Sequence, residues 1–397
     1  MSEAPLKVVI GGGGVAALEA LLALRALARD PVSIEVVAPE SEFVYRPLAV
    51  AEPFLAGEAR RFPLARLIAD AGGGFRQGHV TRVDLGRRVV ELEGGARLPY
   101  DVLLVALGAK PQEAVQGALT FFGPGSSSAL ADVLDEALAG DVRRIAFAVP
   151  AGTAWPLPLY ELALLTRSFL VDRGATGVEV LLVTPEARPL ALFGGEASDA
   201  MAELLDARGI ARRHSAAPLF FDGRVLQTAP DCGIEADAVV ALPHLDGPRL
   251  AGLPSDAQGF VPIDEYCAVH SATEVYAAGD ATTFPLKQGG IATQQADVAA
   301  VSIARRAGST VEPSPFRPVL RGLLLTGMAP RFLRSERGTS RSVVDTEPLW
   351  WPPAKIVGRH LAPFLASKLG LSEEAAPPTA HAVPVELEVE AGHWTHV

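Results

Sequence analysis

The chain is predicted to be an α/β protein with two Rossmann-like dinucleotide-binding domains, the first of them discontinuous, and a C-terminal interface region. Three observations predict this. An apolar strand runs into Gly11-Gly12-Gly13-Gly14 and then into an alanine- and leucine-rich helix. A second unit of strand, turn, helix and strand, from Arg144 to Glu186, closes on the same Pro-Glu pair as the first. Far downstream, the short strand Val275-Tyr276-Ala277-Ala278 ends in Gly279-Asp280.

The first unit opens with the strand Val8-Val9-Ile10. Gly12 makes the tight turn, and Gly14 lets the backbone approach a pyrophosphate at the N-terminus of the helix Ala16–Arg29. The amides of Val15 and Ala16 complete that anion cradle, and Ala17 stands at the third glycine position, which the motif tolerates. The next strand, Ile34–Ala38, ends in Pro39-Glu40, and Glu40 lies 23 residues beyond Ala17. An acid at this place takes the hydroxyls of an adenosine ribose; a solvated turn glutamate is the plainer alternative. Tyr100–Val105 reads as a buried strand that ends in the small-residue turn Ala106-Leu107-Gly108.

Composition sets the class. At 397 residues two or three domains are expected, and 49% hydrophobic against 20% charged residues supplies ample core. A formal net charge of −11 argues against a nucleic-acid partner. The N-terminus enters its first strand almost at once, without the pattern of a signal peptide, and no apolar run reaches the roughly 18–20 residues that span a bilayer. The expected location is the cytoplasm. No metal site is expected.

The sequence holds two cysteines, Cys232 and Cys267, 35 residues apart. Neither belongs to a Cys-x-x-Cys pair, so a dithiol–disulfide relay has no recognisable seat. Cys267 is placed beside a hairpin before the Gly-Asp strand and Cys232 in a loop, both as unpaired thiols.

The second unit runs from strand Arg144–Val149 through the turn Pro150–Pro158 into a helix Leu159–Arg173, then strand Val178–Val183 and Glu186. Its turn holds one glycine, three prolines and a tryptophan. Proline removes backbone donors and Trp155 fills space, so a pyrophosphate cradle looks dismantled here, although Glu186 stands where a ribose acid would.

Together, the paired glycine segments resemble the two-part FAD site of the pyridine nucleotide-disulfide oxidoreductase superfamily. The proline-bearing turn is similar to its sulfide:quinone reductase and flavocytochrome c sulfide dehydrogenase branch. So are Phe43-Val44-Tyr45-Arg46-Pro47-Leu48 and Lys287-Gln288-Gly289-Gly290-Ile291-Ala292. The redox cysteines of that branch, expected near Trp155 and Lys287, are missing. The resemblance implies residues 1–112 and 246–310 as the two parts of an FAD domain, 113–245 as the second, NAD-like domain, and 311–397 as an interface or membrane-contact region.

It further implies FAD held by Gly12, Gly14, Val15 and Ala16 at the pyrophosphate and by Glu40 at the ribose. Arg46 would offset diphosphate charge. Val80, Ala106 and Gly108 would pass the cofactor, Gly279 and Asp280 would meet its ribityl or phosphate region, and the helix start at Gly290, Ile291 and Ala292 would face the flavin. Tyr160 and Glu161 are the candidate catalytic side chains, with a plain helix start as their alternative reading. NAD(H) is the less supported cofactor.

In the C-terminal region, Phe316–Leu325 and Trp350–Leu361 mix aromatic, aliphatic and basic residues. A peripheral membrane contact, a homodimer interface and a lid over the flavin all remain open. The expected function is an FAD-dependent oxidoreductase that passes electrons from a small donor to a quinone-like or other acceptor without a protein disulfide. An NADH-dependent, type II-like quinone reductase and a flavin-binding sensor or structural flavoprotein are the alternatives.

Overall fold

The computed structural model describes residues 4–230, 232–335 and 342–371. Two five-stranded parallel sheets carry the fold. In the first, the order is Val275–Ala277, Val102–Val105, Leu6–Gly11, Val32–Ala38 and Gly74–Gln77. Side chains alternate across a strand, and both faces here are covered. Val8 and Ile10 therefore join one core with the helices, while Val9 joins Val37, Leu103 and Val105 in another. That is why these strands read as unbroken apolar runs.

The second sheet has the order Leu119–Thr120, Ala238–Ala241, Arg144–Ala148, Glu179–Val183 and Ala211–Arg213, again all parallel. In each sheet the first strand of the unit lies centrally, with the second strand of its unit beside it, so the repeat seen in sequence is a repeat in space.

Among the described residues seven α-helices follow in chain order: α1 (Val15–Leu27), α2 (Leu64–Asp70), α3 (Ser127–Ala139), α4 (Leu157–Asp172), α5 (Gly195–Ala207), α6 (Gly289–Arg305) and α7 (Leu361–Lys368). Helix α1 packs on α6 through alanines, among them Ala16, Ala20, Ala292 and Ala296. Helices α1, α4 and α6 begin one to three residues earlier than the sequence predicts. Pro158 is accepted in the first turn of α4, where its missing N–H would be an orphan anyway. The Gln288 side chain accepts the Ile291 N–H at 2.9 Å and so starts α6 at Gly289.

The C-terminal segments lie inside the molecule. Leu320–Leu324 is buried along its length and pairs antiparallel with Arg331–Ser335, which pairs with Ser342–Asp345. Trp350, 1% exposed, stacks edge-on against Phe332 with centroids 5.0 Å apart and donates its indole N–H to the Ala354 carbonyl. Ile356 and Leu361 join the core under α1. Phe332, Trp350, Ile356 and Leu361 are thus packed within the chain, while Phe316 and Trp351 are half-buried. The acidic, proline-bearing stretch after Leu371 lies outside the described residues. Among the described residues, no helix is long and apolar enough to cross a membrane.

Cys267 is buried beside the bridge between Ala268 and Tyr276. The backbone of Cys232 opens the strand Cys232–Glu235 rather than sitting in a loop, because it pairs with Thr228 across a hairpin.

Candidate functional site

A cavity of about 610 Å³ opens at the C-terminal ends of the first sheet's strands, the place where doubly wound sheets take their ligands. One side of it is built from strand ends. The first strand contributes Gly12, Gly14, Val15 and Ala16, and the second Glu40. Ala106 and Gly108 follow the strand Val102–Val105, and Gly279 and Asp280 follow Val275–Ala277. Arg46, Val80, Ala292 and the catalytic candidate Glu161 complete the set of predicted residues that reach it.

The glycines do separate jobs. At Gly12, with φ +117°, a Cβ would lie 2.1 Å from the Ala106 carbonyl oxygen, so this residue permits two strand ends to touch. At Gly14 a Cβ would meet nothing within 4 Å. Gly14 is also the N-cap of α1, where no side chain caps the helix and no acid occupies the first turn. The first-turn amides are thus left for an anion in the cavity. At Gly279, φ +77°, a Cβ would come within 3.2 Å of Ala16 and 3.3 Å of Ala292. Its N–H donates to Gln295 Oε1 at 2.7 Å, which fixes the Gly-Asp turn against α6.

Charge is concentrated at two points of the wall. Asp280 lines the cavity near Lys287 and Arg46; desolvation raises its carboxyl, and the two cations oppose that rise. Lys287 is buried, gives a hydrogen bond to the Thr282 carbonyl and lies 3.8 Å from the centre of the Phe260 ring. Burial lowers its pKa to about 8, and Asp280 and Asp256 pull the other way. The second point is the ion pair of Glu161 with Lys355, 2.7 and 2.6 Å from Nζ to the two carboxylate oxygens, with both residues on the wall. The side chains are 7% (Lys355) and 1% (Glu161) exposed. Burial raises the Glu161 pKa and lowers that of Lys355, and each partner opposes the other's shift. Glu161 also accepts the Leu325 N–H at 2.8 Å.

The structure separates the two candidate catalytic residues. Consecutive positions on a helix point about 100° apart, so Glu161 faces the cavity while Tyr160 turns into the second domain's core. The Tyr160 hydroxyl donates to Glu186 Oε2 at 2.6 Å. Glu186 also receives Thr184 Oγ1 at 3.0 Å and the Ala191 N–H at 3.2 Å. Tyr160 is therefore not on the cavity, and the acid expected at a second ribose is consumed inside its own domain. Gly290 and Ile291 also fall behind the wall. Ile291 is 1% exposed and its N–H is capped by Gln288, leaving Gly289 and Ala292 to present the start of α6.

Sequence reasoning missed Lys287 and Lys355 as site residues. Both stand in segments it singled out, but the partner of Lys355 lies 194 residues away, and no local pattern encodes that pairing.

The wall beyond the Gly-Asp turn is apolar: Phe121, Phe122, Trp155, Leu157, Leu242 and Leu323. The chain's own residues thus fit FAD. Open space and free amides at Gly14 suit a diphosphate, Glu40 suits a ribose, and the positive end of α6 suits a reduced flavin ring.

Residues 6–147 match the model of the family described as pyridine nucleotide-disulphide oxidoreductase. The chain is 28% identical over 297 residues to the biphenyl dioxygenase system ferredoxin–NAD(+) reductase component of Paraburkholderia xenovorans strain LB400, covering 71% of this chain and 69% of that one. Among solved structures, sulfide:quinone oxidoreductase from Aquifex aeolicus superposes with a TM-score of 0.79 at 18% identity, covering 86% of each chain. NDH2 from Plasmodium falciparum in complex with NADH superposes with a TM-score of 0.66 at 12% identity, covering 85% of this chain and 93% of that one. On its glycine cradle, its paired sheets and the match over residues 6–147 to that family's model, the chain is an FAD-dependent oxidoreductase.

Proposed function

We propose that this oxidoreductase passes electrons from a small donor to an apolar, quinone-like acceptor, with no protein disulfide in the path. The observation that carries this reading is the apolar stretch of the cavity wall, with the buried Glu161–Lys355 pair on the same wall. FAD supplies the redox chemistry when bound. The chain's residues hold it, exclude water and manage protons. Phe121, Trp155 and Leu242 offer a planar apolar molecule a dry wall. Lys355 carries a proton that a reduced acceptor oxygen would attract, and Glu161 keeps that ammonium in place. No cysteine lines the cavity among the described residues. The buried Cys267 thiol is held well above the ordinary range by desolvation, so the thiolate needed for exchange is scarce.

A nicotinamide donor is the second reading, favoured by the NAD-linked name of the relative in Paraburkholderia xenovorans. Tyr160 and Glu186 weigh against it, since the acid that would greet a ribose is already bonded three ways. The test is to photoreduce the FAD anaerobically and mix the enzyme with a short-chain benzoquinone. Saturating reoxidation, slowed by Lys355→Met, is expected. Reoxidation that is linear in quinone and indifferent to Lys355→Met would count against a quinone site, and no reoxidation by any acceptor would favour a sensor.

A further inference from the structure

The residues 354–361 form a strap that joins the cavity to a buried acid pair outside the redox site. At its first end Lys355 is tied to Glu161, and Lys355 and Ile356 are part of the cavity wall. The Ile356 N–H donates to the buried Tyr45 hydroxyl at 2.8 Å, and the Val357 carbonyl accepts Thr293 Oγ1 at 2.7 Å. At the far end the His360 and Leu361 N–H groups donate to the two oxygens of Glu19, each at 2.7 Å. Glu19 is wholly buried on α1, and from there it caps the N-terminus of α7.

Two glycines fit the strap to its seat. A Cβ on Gly358 would lie 2.6 Å from Glu19 Oε2 and 2.9 Å from Thr293, and one on Gly289 would lie 2.9 Å from Ile356. A carboxylate oxygen of Asp297 on α6 lies within 4.8 Å of one of Glu19, with a ring nitrogen of His360 equally near. Two buried carboxyl groups this close sit together without mutual repulsion only while one of them keeps a proton. The charged groups on the strap side are Arg359, which acts on both Asp297 and His360, and His360 itself, its Nε2 3.9 Å from Asp297 Oδ1. Asp297 Oδ1 is buried and has no hydrogen-bond partner. Further along, Glu161 on α4 and Asp70 on α2 face the strap and α7, paired with Lys355 and Lys368.

We infer that the strap is a lid on the FAD cavity, latched by a proton shared between Glu19 and Asp297. The latch is the only part of this seat that needs a proton between like charges. Its loss sets two carboxylates against each other beneath the segment that carries Lys355 and Ile356.

The sign follows from burial. Desolvation raises the Glu19 carboxyl, and desolvation together with the neighbouring Glu19 charge pushes Asp297 up to about 9. A carboxyl whose pKa is higher latched than open takes up a proton on latching. The latch is therefore strongest in acid, weakens as pH rises and has lost its contribution once pH passes about 9. His360 is shifted downward by burial and by Arg359, so it stays neutral in that window and does not compensate.

Hydrogen exchange followed by mass spectrometry on the FAD-loaded protein tests this, with rates corrected for the intrinsic pH dependence of exchange. Protection of residues 354–368 should fall about tenfold or more between about pH 7 and about pH 10, while the interior of α1 holds its protection. Asp297→Asn gives Glu19 a donor that cannot titrate, and should keep the strap protected across the range. Gly358→Ala, by crowding Glu19, should open the strap already near neutral pH. A pH-independent wild-type strap, an Asn variant that follows the wild-type profile, or a Gly358→Ala strap as protected as wild type would each overturn the latch. The readout is independent of the electron acceptor, so the lid and the quinone reading can fail separately.

Discussion

At the scale of single residues, the site divides into positions that shape space and positions that hold charge. Gly14 belongs to the first kind. Its Cβ position is open, so Gly14→Val should fold, yet its branched side chain would project into the anion cradle. Purified Gly14→Val is expected to be colourless with a wild-type circular dichroism spectrum; a yellow, FAD-replete variant would show that the diphosphate lies elsewhere. Glu161 and Lys355 belong to the second kind. Replacing Glu161 by Leu strands a buried ammonium and should cost about 3–5 kcal/mol in urea unfolding. Adding Lys355→Met removes the stranded charge. The double variant should then recover all but the roughly 1–3 kcal/mol of the orphaned Leu325 N–H. A double variant no more stable than Glu161→Leu would mean the pair is not desolvated as described.

At the scale of elements, α4 is where sequence reasoning and structure part. The strand–glycine–helix unit was legible because each feature is local: an apolar run, a turn that needs glycine and a helix start. The repeat at Arg144–Glu186 was legible for the same reason. Which of Tyr160 and Glu161 faces the cavity depended on the rotation of α4, and its start at Leu157 set that rotation. The fate of Glu186 was equally hidden, since its partner Tyr160 is 26 residues away on another element. The corrected placement makes a sharp prediction. Tyr160→Phe removes the bond to Glu186 and the acceptor of the Leu190 N–H, so it should destabilise by about 1–3 kcal/mol. It should leave flavin reduction and reoxidation rates within a few-fold of wild type. A rate loss of two orders of magnitude with FAD content intact would restore Tyr160 to the chemistry. The C-terminal segments were ambiguous in sequence because buried aromatics and interfacial ones have the same composition. Only the contacts of Trp350, Ile356 and Leu361 distinguish them.

At the scale of the whole molecule, one sheet carries the glycine cradle, while the turn of the other holds prolines and Trp155 and its Glu186 is bonded to Tyr160. The C-terminal strap lines the cavity through Lys355 and Ile356. On the proposed reading electrons enter and leave at this one cavity, with neither Cys232 nor Cys267 in the path. Cys232→Ala with Cys267→Ala should therefore keep both half-reactions within a few-fold of wild type, as read by anaerobic stopped-flow absorbance; a collapse of either rate would place a thiol in the path. The most direct measurement of the central claim is stopped-flow flavin bleaching and recovery in one preparation. The protein is mixed first with a concentration series of NADH and, after photoreduction, with a short-chain benzoquinone. The expected result is one FAD per chain, slow reduction without saturation by NADH, and fast, saturating reoxidation by the quinone. Fast, saturating reduction by NADH would contradict the reading of the second turn and its Glu186 as unfit for a nucleotide, and a failure of the quinone to saturate would contradict the apolar acceptor site.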